Sequence, residues 1–125
     1  MLLDTCALLW LAQGGGQLSA ETLRELADAP FVYVSAISGF EIGIKYKKGK
    51  LGLPVPPSEW FPAIVDHHGL QVLSLDLDIC IQSTQLPPVH PDPCDRMIIA
   101  TAKRHGLRVV TADSVFKVYD IDIMV

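Results

Sequence analysis

The sequence predicts an α/β domain built on a parallel sheet, and three observations predict it. Short apolar runs at 1–3 and 31–34 read as strands, each followed at once by a capping residue and an apolar helix. Residues 92–113, DPCDRMIIATAKRHGLRVVTAD, read as a helix leading into a β-branched strand. Carboxylates recur where these strands end or these helices begin. In a parallel sheet the carboxyl ends of the strands and the starts of the following helices share one edge.

Taken in order, Met1 to Leu3 forms an interior strand ending at Asp4, and Thr5 to Leu11 forms a mostly apolar helix. A carboxylate so deep in an apolar run needs a cap, a partner or a cation to offset its burial. Gly14 to Gly16 lacks the lysine and spacing of a phosphate loop and reads as a linker. Ser19 caps a short helix to Asp28, with Leu23, Leu26 and Ala27 facing inward. Phe31 to Val34 is the second strand, and Ser35 caps the next helix, with Ser38 and Glu41 as an alternative capping box.

On that helix Ile37, Phe40, Glu41 and Ile44 share one predicted apolar face, which leaves Glu41 beside the core. A solvated pair with Lys45 is the simpler account of Glu41. Lys45, Lys47, Lys48 and Lys50 suit either a solvated helix end or a phosphate-contact patch.

After a proline-rich turn, a helix over 58–67 packs through Trp60, Phe61, Ile64 and Val65, and Leu70 to Leu75 is the third strand. His67 and His68, being adjacent, are read as surface residues. The helix from Asp76 to Ser83 packs through Leu77, Cys80 and Ile81. In the loop that follows, His90 is read chiefly as packing, with orientation of Asp92 or contact with substrate as the alternatives. Asp92 then caps a helix with Pro93 at its first position and Asp95 in its first turn, and Gly106 closes it. Leu107 to Val110 is the fourth strand, ending at Asp113. Phe116 and Tyr119 pack a short turn, and Ile121 to Val125 is an edge strand.

With 125 residues, half of them apolar, the chain is expected to form a single domain over 1–125 with a substantial core. The net charge of −4 argues weakly against a nucleic-acid partner, but the clustered basic residues and bound cations can reverse that. Cys6, Cys80 and Cys94 form no C-x-x-C, and their odd number without a secretory leader suggests a reducing, cytoplasmic setting. No membrane span is expected.

Four acids, Asp4, Glu41, Asp95 and Asp113, converge on one sheet edge in this reading, with Asp92 beside them. Each has a cheap structural explanation alone. Together they raise one another's pKa or require a cation. An oxygen-only set suits Mg²⁺ or Mn²⁺ and not zinc. The chemistry this points to is metal-assisted phosphodiester hydrolysis.

LLDTCALLWL at 2–11, VSAISGFEIGIKYKKGKL at 34–51, LPPVHPDPCDRMIIATAKRHGLRVVTAD at 86–113 and the F-x-x-Y of Phe116 and Tyr119 occur in the order found in PIN domains. The chain resembles that family, and within it the VapC-type toxins of bacterial toxin–antitoxin pairs. The resemblance implies a three-layer α/β/α PIN-like fold with a five-stranded parallel sheet in order 3-2-1-4-5. It implies Asp4, Glu41, Asp95 and Asp113 as metal-binding and catalytic acids, with Asp92 as an accessory. It further implies a Mg²⁺- or Mn²⁺-dependent endoribonuclease, a cognate antitoxin, an RNA substrate and a homodimer.

Apolar surface for that dimer is expected on the helices near 7–11 and 58–65. Cys6 and Cys94 stand where relatives often carry His and Phe, which removes no carboxylate. Arg96 is expected to pair with an acid of the cluster. The alternatives are a PIN-fold nuclease of RNA processing or quality control, and a non-catalytic binding protein.

Overall fold

A computed structural model describes all residues, 1–125. The strands are β1 (Leu2–Leu3), β2 (Tyr33–Ser35), β3 (Gln71–Leu73), β4 (Val109–Val110) and β5 (Ile123–Met124). They form one parallel sheet in the order β3-β2-β1-β4-β5. The helices are α1 (Thr5–Ala12), α2 (Ala20–Asp28), α3 (Ala36–Lys47), α4 (Pro57–His68), α5 (Leu77–Gln85) and α6 (Pro93–His105), with a 3₁₀ segment over Ser114–Tyr119.

Strand side chains alternate between faces, so neighbouring residues serve different cores. Leu3, Val34 and Val110 join Ala7, Leu8, Leu26, Ile42 and Trp60 on one face. Leu2 and Val109 join Ile37, Ile98, Ile99, Phe116 and Tyr119 on the other. Helices cover both faces and make three layers. The central strands β1 and β4 carry no polar alternation because both their faces are buried, whereas the edge strand β3 is exposed at Gln71 and Val72.

The predicted caps are in place: Asp4, Ser19, Ser35 and Asp92 each accept a backbone N–H from the first turn of their helix, and Asp76, expected inside its helix, caps it as well. Gly106 adopts the left-handed conformation that ends α6. Gly16, at φ +52°, is needed for a different reason: a Cβ there would lie 2.8 Å from the Trp10 side chain.

Several expectations are corrected. Phe40 and Ile44 are exposed, and the inward positions of α3 are Ile37, Ser38 and Ile42. Ser38 forms no capping box; its hydroxyl pairs with that of Thr5 at 2.9 Å. Leu77, 74% exposed, and Ile81 face outward on α5, where Ile79 and Ser83 are buried instead. Periodicity gives the spacing of a helix face but not which stripe meets the sheet. On the helices at 7–11 and 58–65, Ala7, Leu8 and Trp60 are buried in the core, while Leu9, Trp10, Leu11, Phe61, Ile64 and Val65 are partly buried against it. No helix is long and apolar enough to cross a membrane.

Arg96 pairs with no acid. Its guanidinium donates to the carbonyls of Ser83, Leu86, Pro87 and His90 at 2.7–3.1 Å, closing the end of α5 and pinning the loop before α6. A planar fork with five N–H groups suits several carbonyls at once. Replacing Arg96 with Met orphans these acceptors, and the expected loss is about 3 kcal/mol in urea unfolding. An unchanged midpoint would show that water replaces the guanidinium without cost.

Candidate metal centre at the sheet edge

The order of the strands builds the site. β1 and β4 are neighbours in the centre of the sheet, and their chains leave toward different faces, which opens a crevice at their carboxyl ends. Asp4 follows β1 and Asp113 follows β4 with its intervening Thr-Ala. Glu41 comes from the second turn of α3, and Asp92 and Asp95 from the start of α6. All five line one cavity of about 380 Å³, together with Thr5, Cys6, Trp10, Lys45 and Ala112.

The acids differ in how fully their oxygens are committed. Asp4 accepts the Ala7 N–H at 2.8 Å. Asp92 accepts from Cys94 at 2.8 Å and Asp95 at 3.3 Å, so it serves as a cap as well as lining the cavity. Asp113 accepts from the Val115 N–H at 3.0 Å and from His90 Nε2 at 2.8 Å. Asp95 Oδ2 lies 3.1 Å from the same His90 nitrogen. Glu41 Oε2 faces Lys45 Nζ at 3.3 Å, while Glu41 Oε1 is buried with no partner.

Burial and mutual repulsion set the titration. Burial pushes the Asp95 carboxyl up to about 7, and the charges of Asp92, Glu41 and Asp4 add to it while His90 opposes them. Burial also raises Asp4, against hydrogen bonds from the Thr111 hydroxyl and the Ala7 amide. Cys94, beside the cluster, is held up at about 11 and is no nucleophile at neutral pH.

The donor set fits a hard divalent cation. A buried carboxylate oxygen without a hydrogen bond is costly, and here it sits among acids that burial keeps from ionising readily. One cation would resolve both. His90, Asp95 and Asp113 each bring a potential ligand atom within 4.8 Å of the others. The imidazole is nevertheless not free to ligate. Its Nδ1 accepts the Asp92 N–H at 3.2 Å, so the proton resides on Nε2, which donates to Asp113 and lies 3.1 Å from Asp95 Oδ2.

His90 is therefore more than packing. It is buried, lies edge-on to Phe116, and its amide donates to Tyr119 Oη at 2.7 Å. Tyr119 in turn donates to the Pro87 carbonyl at 2.8 Å. The F-x-x-Y pair thus holds the histidine that braces two acids.

The sequence reading missed this chain of support, and with it the hydroxyls of Thr5, Ser38 and Thr111. Two signals were available: Thr5 directly follows the strand-end acid, and Thr111 lies two residues before Asp113, where its hydroxyl accepts the Asp113 N–H at 3.0 Å.

Comparison with known proteins agrees with this architecture. The PIN domain profile matches residues 1–122. Ribonuclease VapC22 of Mycobacterium tuberculosis is 30% identical over 114 residues, covering 90% of this chain and 86% of that protein. Among solved structures, VapBC2 of Rickettsia felis, bound to a promoter DNA fragment, superposes with a TM-score of 0.70 at 16% identity. The match covers 98% of this chain and 96% of that one. FitAcB of Neisseria gonorrhoeae gives 0.66 at 23% identity, covering 99% and 96%.

Proposed function

The chain belongs to the PIN-domain family, and from that premise we propose that it is a divalent-metal-dependent endoribonuclease acting as the toxin of a toxin–antitoxin pair. The observation that carries the reading is the cavity lined by Asp4, Glu41, Asp92, Asp95 and Asp113, with Glu41 Oε1 buried and unpartnered inside it. The related ribonuclease VapC22 supports RNA as the substrate class. The cytoplasm is the compartment that fits this role.

Asp4, Glu41, Asp95 and Asp113 would hold Mg²⁺ or Mn²⁺, with Asp92 as an accessory acid. Such an ion supplies an activated water and stabilises the oxygens of an in-line phosphoryl displacement. The protein does the rest. Caps and hydroxyls fix Asp4 and Asp113 before substrate arrives, and His90 keeps two like charges together by donating to Asp113 beside Asp95. Such preorganisation spares reorganisation when charge develops.

The proposed partners are a cognate antitoxin, the RNA and a second copy of the chain. Exposed Phe40 and Ile44 on α3, with Leu77 and Ile81 on α5, offer the apolar surface for protein partners.

The test is cleavage of a mixed structured RNA pool by purified protein, with Mn²⁺ or Mg²⁺ titrated in. Cuts that require the divalent ion and cease on chelation are expected. Intact RNA at saturating metal, from protein free of antitoxin, would remove the nuclease reading and leave a binding role.

A further inference from the structure

Lys45 is the one cation among the side chains lining the acid cavity. It reaches that position from α3, one turn after Glu41, and meets Glu41 Oε2 at 3.3 Å. The pairing is incomplete, because Glu41 Oε1 remains buried without a partner. It is also weak: an i,i+4 helix pair of this kind contributes only about 0.3–0.5 kcal/mol. With its side chain 42% exposed, Lys45 lies at the mouth of the cavity and is free to move on its four-carbon stem.

A phosphodiester entering this cavity meets five acids, and one divalent ion offsets only part of their charge. An additional positive charge on the protein is needed near the phosphate, and Lys45 is the lining residue that carries one. Resting on the ribonuclease reading, we propose that Lys45 exchanges partners during the reaction. It holds Glu41 while the cavity is without metal, and it binds a non-bridging oxygen of the scissile phosphate once Glu41 turns to the ion. Lys45 is on this account a catalytic residue, and its bond to Glu41 marks the resting state of the site.

The sign of one measurement separates this role from mere support of Glu41. A competitor for Glu41 is lost in Lys45→Met, so Mn²⁺ should bind several-fold more tightly. A structural prop lost at the same position would instead loosen Mn²⁺ binding. Single-turnover cleavage of a short single-stranded RNA in saturating Mn²⁺ should fall about 100-fold in Lys45→Met, as for removal of one preorganised charge-stabilising donor. The slope of log(kcat/KM) against log salt should shrink by about 0.7, the share of one phosphate contact on a single strand.

Lys45→Arg, which keeps the charge, should recover most of the rate. Lys117→Met, which removes an exposed charge from the 3₁₀ segment, should match the wild type. Wild-type protein that cuts no RNA in Mn²⁺ would defeat the nuclease reading itself. Wild type that cuts, beside a Lys45→Met variant with the same rate and salt slope or with weakened Mn²⁺ binding, would overturn the Lys45 assignment alone.

Discussion

Asp95→Asn is expected to abolish divalent-dependent RNA cleavage, with a fall in kcat of at least about 1000-fold, while the protein stays folded. Asn keeps the shape of the side chain and removes the charge the cation needs. Asp95 is the acid most strained by its surroundings: burial, then Asp92, Glu41 and Asp4, push it up to about 7. The folded state therefore holds its proton more tightly than the unfolded chain does. Its contribution to stability is fully present below about pH 4 and is lost as pH rises through about 7.

Thermal melts of metal-free wild type should accordingly decline over that window, and Asp95→Asn should flatten the decline. A cation held by Asp95 would have to displace the same proton, so on the proposed site Mn²⁺ affinity should climb up to about tenfold per pH unit below 7 and level off above it. Calorimetric titrations at pH 5.5, 6.5 and 7.5 read this directly. A pH-independent affinity would mean that Asp95 is not a ligand.

His90→Ala should weaken Mn²⁺ binding and cleavage together, each by about 10- to 100-fold, the usual cost of losing a residue that orients metal ligands. The imidazole Nε2 donates to Asp113 at 2.8 Å and lies 3.1 Å from Asp95 Oδ2. Without it two neighbouring carboxylates repel, and the Asp92 N–H loses its acceptor. His90→Gln, whose amide can still donate, should recover part of both losses.

Tyr119→Phe provides the contrast. It removes the hydroxyl that accepts the His90 amide and binds the Pro87 carbonyl, at a cost of about 1–2 kcal/mol, but leaves the imidazole against the acids. Its stability should drop more clearly than its metal affinity. If His90→Ala binds Mn²⁺ as well as wild type while only its melting temperature falls, the histidine serves the loop and not the metal centre.

Local chemistry wrote much of this molecule into its sequence. Asp92-Pro93 and Gly106 bracket α6 because a cap, a fixed φ and a left-handed end are properties of single residues. Asp4, Asp95 and Asp113 were legible for the same reason, since strand ends and helix starts share one edge of any parallel sheet. Ordered motifs supplied the strand order, which periodicity alone does not contain.

Tertiary structure decided what depends on the partner across space. It turned Ile42 inward and left Phe40, 58% exposed, facing outward, because both stripes of α3 are apolar and only the position of the sheet selects one. It gave Arg96 to carbonyls rather than carboxylates, since a guanidinium serves either and the loop's open carbonyls lay within reach. It brought His90 to Asp113, 23 residues away, through Tyr119, 29 residues away. A hydrogen bond between distant residues is a fact of chain path, and no local pattern encodes it.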